Sequence, residues 1–328
     1  MNERLQDSSA IRKVDLSAAC PPFVWRGRTA DLSGAWSAAP TPLTDSLKVD
    51  AASVRRMVRH HIRLGQRGMF IGGTCGEGPF LPRKEFRRLT TLVVEANNGK
   101  MAIAVQVTDN SFSKVLDNIA QAKTDGADIA VVAEPWFAGA WTREDFFLKH
   151  YLEIAERSPL PIGIYSRGQI VPLRLYPRIA MHPNVRMFKD SSINEELMRG
   201  LLAVASKRKS LTLMTGYEFG IGPYLQAGYT GALAGGGVLI GALTVKMIEA
   251  AKLNEFNKLP ALQKHIDRIL YPAYGGKKIK SWLTGLKYTL VKMGIFRTTA
   301  GYLKYPLPNS AKKRIANMIK KEKQVLWP

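Results

Sequence analysis

Residues 185–192 read VRMFKDSS, a short apolar run that stops at Lys189, Asp190 and two serines. Its length suits a strand buried on both faces of a parallel sheet. Working outward, similar runs stand at 69–72, 102–107, 129–133, 162–165, 211–215 and 230–234, and 33–39 supplies the first of eight. Helix-length stretches lie between them. Residues 51–64 carry Val54, Val58 and Ile62 at fourfold spacing behind Asp50, an expected N-cap. Residues 111–124 carry Val115, Ile119 and Ala122, and 142–155 opens on Thr-Arg-Glu-Asp, a capping pattern.

Strand and helix alternate along most of the chain, which argues for a parallel α/β sheet. A count near eight favours a closed (β/α)8 TIM barrel over an open doubly wound sheet. After Ile240 helical periods dominate, over 242–254, 261–269, 278–293 and 311–322. The expected organisation is an irregular N-terminal leader (1–30), an α/β barrel (31–257) and a small C-terminal helical domain (258–328).

A chain of 328 residues is long enough to bury such a core without disulfides or metals. Its two cysteines, Cys20 and Cys75, imply no disulfide framework and fit a reducing cytoplasm. No Cys/His cluster has zinc spacing. No apolar segment approaches the roughly 20 residues needed to span a bilayer, and the N-terminus lacks the apolar core of a signal peptide. The net charge is +22, and from residue 271 onward basic residues crowd the chain with Glu322 as the sole acid. Without a nucleic-acid-binding motif or interleaved aromatics, this reads as a solvated helical face rather than a nucleic-acid site.

Three runs can carry chemistry. Residues 72–80, GGTCGEGPF, follow a short strand, and their glycines free backbone N–H groups that can cradle a carboxylate. The run is neither a Walker A loop nor a dinucleotide fingerprint. Lys189 ends a strand, where barrel active sites lie, and a lysine shielded from water there becomes nucleophilic. Tyr165 ends another strand in PIGIY (161–165), and a phenol near an amine can pass protons. Taken singly, each has an ordinary reading: a tight turn, a lysine paired with Asp190, a half-buried tyrosine.

Taken together and in this order, the G-T-x-G-E loop, the strand-end Tyr165 and K-D-S-S resemble the dihydrodipicolinate synthase / N-acetylneuraminate lyase family. The resemblance runs from about residue 31 to 307, with support from AAPTPLT (38–44), MTGYE (214–218) and GYTGAL (228–233). It implies a barrel assembled as a dimer or tetramer and class I chemistry, in which a lysine condenses with pyruvate or a related 2-oxo acid. Carried over by position, Lys189 is the nucleophile and Tyr165 the proton relay. Gly73, Thr74 and Cys75 lie on the loop that holds the substrate carboxylate. That chemistry requires no cofactor.

Three departures redirect the choice of second substrate. Cys75 replaces the second threonine of the loop. Tyr165 is followed by Ser166, Arg167, Gly168 and Gln169, and Ile170 stands where the synthase branch places an arginine, so Arg167 is the candidate replacement. EPWF (134–137) puts Trp136 and Phe137 where that branch has a tyrosine pair. The leading expectation is a Schiff-base lyase or synthase making or breaking a carbon–carbon bond. A 2-oxo-3-deoxy sugar-acid aldolase or dehydratase is its rival. A barrel that has lost catalysis and binds a metabolite or acidic polymer is the alternative of a different class.

Overall fold

The computed structural model describes residues 31–135 and 142–328, together with the backbone of a two-residue antiparallel ladder, Val24–Trp25 with Arg28–Thr29. The expected leader otherwise lies outside the described residues, as do Trp136 and Phe137.

Eight parallel strands close into a barrel. They are β1 (Gly34–Ala38), β2 (Gly68–Ile71), β3 (Ala102–Gln106), β4 (Ile129–Ala133), β5 (Ile162–Ser166), β6 (Val185–Asp190), β7 (Thr212–Thr215) and β8 (Gly231–Ala234). Neighbours in sequence are neighbours in space, and β8 closes on β1 with Gly231 opposite Gly34 and Ala234 opposite Ser37. Every residue of β2 to β8 is buried, as expected for strands covered by helices outside and by packed side chains inside. All eight expected strands are present, with ends that differ by up to two residues.

The helices follow their strands. They are α1 (Ala51–Arg63), α2 (Arg83–Asn97), α3 (Phe112–Thr124), α4 (Glu144–Arg157), α5 (Tyr176–Ala180), α6 (Glu195–Lys207), α7 (Ile221–Ala227) and α8 (Gly237–Lys252). Asp50 caps α1 as expected, its carboxylate accepting from Ala52 N (3.1 Å) and Ser53 N (3.3 Å). The capping pattern at 142–145 does not form. Arg143 occupies the N-cap of α4 with no side-chain cap, and Glu144 and Asp145 fill the first turn, where carboxylates offset the helix dipole. Helix α8 starts five residues before the expected 242. Gly237 lies at its start, close against β1: a Cβ there would lie 2.8 Å from Ser37 Cα.

Beyond the barrel lie α9 (Leu259–Ala273), α10 (Trp282–Lys292), α11 (Asn309–Lys321) and a final turn, Lys323–Leu326. Helix α9 packs on α8 and α11 on α9, while 300–303 returns to the barrel loops. Among the described residues no helix is long and apolar enough to cross a membrane.

Candidate active site

Strand alternation decides which side chains enter the barrel. Tyr165 of β5 and Lys189 of β6 are register partners. The Lys189 nitrogen lies 4.0 Å from the Tyr165 ring centroid and 5.5 Å from that of Phe70. Lys189 is 5 % exposed, and no ion pair engages it among the described residues. Asp190, one residue on, is engaged elsewhere. Its carboxylate accepts from Tyr229 Oη (2.9 Å), Ser192 N (2.9 Å) and Ser192 Oγ (2.7 Å). The ordinary reading of Lys189 as the partner of Asp190 is therefore not realised.

Gly216 leaves room for the lysine stem. A Cβ at that position would lie 2.9 Å from Lys189 Cε and overlap Ser191 Oγ.

The glycine-rich loop runs from the end of β2. Glu77 N donates to Thr74 O (3.2 Å) and Gly78 N to Gly73 O (3.3 Å), closing a tight turn. Thr41 Oγ1 holds it by donating to Gly76 O. The N–H groups of Thr74 and Cys75 have no acceptor among the described residues, leaving two adjacent donors for an anion. Cys75 directs its thiol to Gly235 O at 3.6 Å. Burial, reinforced by Glu218, pushes that thiol up to about 12, so it is not a thiolate, and its S–H is directed at Gly235 O rather than at a ligand.

Two carboxylates escaped the sequence reading. Glu218 follows β7 and accepts from Gly236 N at 2.6 Å. Desolvation raises its pKa, against the opposing pull of Gly236 N–H, Tyr274 and Lys189. It is a carboxyl within electrostatic reach of Lys189. MTGYE contained it, but no local pattern separates such a group from a solvated one. Glu134, fully buried after β4, accepts from the backbone N–H of Arg167 (3.1 Å), Gly168 (2.8 Å) and Gln169 (3.3 Å) and from Tyr176 Oη (3.0 Å). That anion shapes the loop following Tyr165. Arg167, the candidate cation of that loop, gives its N–H to Glu134, and its charge acts on buried Tyr151 of α4. Phe137 lies outside the described residues.

Lys189 and Tyr165 thus meet at the carboxyl ends of the strands, with Cys75 and Glu218 within electrostatic reach of the lysine. A separate cavity of about 550 Å³, bounded by α2 and α3, touches the loop at Gly78 without Lys189 in its wall.

The dihydrodipicolinate synthetase family model matches residues 31–322. A 4-hydroxy-tetrahydrodipicolinate synthase of Gluconobacter oxydans is 25% identical over 283 residues, covering 85% of this chain and 92% of that protein. The Listeria monocytogenes enzyme of the same name is 28% identical over 290 residues, covering 84% and 93%. In fold, the chain is similar to the dihydrodipicolinate synthase of Bacteroides thetaiotaomicron. That structure matches with TM-score 0.80 at 24% identity, over 88% of this chain and 98% of the other. With the family match spanning nearly the whole barrel and the helices after it, this chain belongs to the dihydrodipicolinate synthetase family of Schiff-base-forming lyases.

Proposed function

We propose that Lys189 forms a Schiff base with C2 of pyruvate or a closely related 2-oxo acid, and that the enzyme makes or breaks a carbon–carbon bond next to that imine. The observation that carries this reading is the pairing of buried Lys189 with Tyr165, its nitrogen 4.0 Å from the ring centroid, with Cys75 of the donor loop within electrostatic reach. The neutral amine attacks the carbonyl carbon, and the carbinolamine loses water with proton transfers that Tyr165 relays. Thr74 and Cys75 N–H groups bind the substrate carboxylate. The imine draws electrons from C3, so a C3 proton leaves to give an enamine that attacks an aldehyde. Run backwards, the same steps cleave the aldol.

Ile170, which supplies no cation for a second carboxylate, supports a 2-oxo-3-deoxy sugar-acid aldolase or dehydratase over the synthase reaction. Membership of this family supports assembly with further copies, as a dimer or tetramer. The buried free thiol of Cys75 suits a cytoplasmic enzyme.

Borohydride reduction in the presence of pyruvate tests the mechanism. A reduced adduct should map to Lys189 and vanish in Lys189→Ala. An adduct on another lysine, or none with any 2-oxo acid, would remove it.

A further inference from the structure

We propose that Lys287 of α10 and Glu77 of the donor loop are a positioning pair, through which the C-terminal helices hold the substrate-carboxylate cradle in its binding shape. The assignment rests on the Schiff-base reading above and adds to it a part for residues outside the barrel.

Glu77 sits at the apex of the turn with φ +55°, a left-handed conformation that residues with a Cβ seldom adopt. Such a conformation persists where the surroundings over-determine it. Here they do. The Glu77 carboxylate is fully buried and receives the Lys287 ammonium on Oε1 and Leu303 N on Oε2 at 2.9 Å. Lys287, 1 % exposed, also donates to Ala300 O at 2.8 Å. Tyr302, between these contacts, stacks on Phe80 of the loop.

Two buried charges are thus satisfied by each other and by backbone groups of 300–303. Removing either leaves the other desolvated and unpaired, and such a charge relaxes by moving toward water. Movement of Glu77 disturbs the turn it sits on, and Cys75 and Thr74 lie two and three residues before it. The pair is close enough to the cradle for both charges to act on the Cys75 thiol. Neither side chain needs to touch substrate. Their effect is on where two N–H groups point.

This predicts a loss specific to the substrate's carboxylate. The test compares borohydride trapping of Lys189 with pyruvate and with hydroxyacetone, a ketone without a carboxylate, in the full-length protein. Lys287→Met should lower the trapping rate per molar pyruvate by about tenfold or more, while the rate with hydroxyacetone changes by less than about threefold. Glu77→Gln should act in the same direction. A general structural role would depress both ketones in parallel, and that outcome, or no change in either, overturns the assignment. Should Lys287→Met fail to fold, Gly301→Ala decides by the same ratio. Its Cβ would lie 2.9 Å from Glu77 Oε2 and 3.0 Å from Lys287 Nζ, displacing the pair with both charges kept. A parent protein that traps no 2-oxo acid at all overturns the Schiff-base reading itself, and this assignment with it.

Discussion

Tyr165 and Lys189 stand opposite each other on adjacent parallel strands, and the lysine nitrogen lies over the tyrosine ring, 4.0 Å from its centroid. The amine is thereby kept from water by an aromatic face whose phenol can carry a proton. Tyr165→Phe keeps the face and removes the carrier. Imine formation, followed by the rate of borohydride trapping, should slow by roughly 10², with pyruvate affinity changed much less. Unchanged turnover would take Tyr165 out of the mechanism.

Gly216 matters through space. Gly216→Ala puts a methyl 2.9 Å from Lys189 Cε and pushes the amine off its line of attack. Misplacement of a reacting atom by about 1 Å can cost on the order of 10² in rate, so trapping should slow by at least tenfold. Pyruvate binding to the N–H cradle should persist, as read by titration calorimetry. Wild-type trapping rates in this variant would show that the stem has slack.

Condensation of pyruvate with aspartate semialdehyde should be weak or absent. That aldehyde carries a carboxylate, and Ile170 supplies no cation for it. A missing charge-assisted hydrogen bond costs roughly 1.5–3 kcal/mol, about ten- to a hundredfold. A coupled assay decides this. A catalytic efficiency above about 10⁴ M⁻¹s⁻¹ would restore the synthase reaction.

Acid should destabilise the protein through α1. His60 and His61 are fully buried, bonded to Val238 O (2.9 Å) and Met57 O (2.8 Å). Desolvation lowers them from 6.5 to about 4 and about 3. The unfolded chain therefore binds more protons below pH 6.5. The stability from keeping these rings neutral is complete above 6.5 and is lost as pH falls toward 4. Each contributes up to a few kcal/mol over that window. Urea unfolding at pH 7.5, 6 and 5 should record the loss, and His61→Leu should make it shallower. Identical pH slopes in parent and variant would assign the acid sensitivity elsewhere.

The sequence alone determined what depends on neighbours along the chain. Short apolar runs alternating with amphipathic ones specified eight strands and four of the eight helices that follow them, because both periods are local properties of the backbone. Lys189, Tyr165 and the loop at 72–80 were legible as strand-end chemistry for the same reason. Tertiary structure alone decided how those ends are held. Glu77 and Lys287 are 210 residues apart in sequence, and Glu134 meets the N–H groups of 167–169 across two strands. Glu218 meets the Gly236 N–H and the Tyr274 hydroxyl only when β7, β8 and α9 come together, and the burial that raises its pKa comes with that closure. Burial and pairing of charge are set by the closed barrel, where distant segments exclude water from a common point. Residue spacing carries no record of that exclusion.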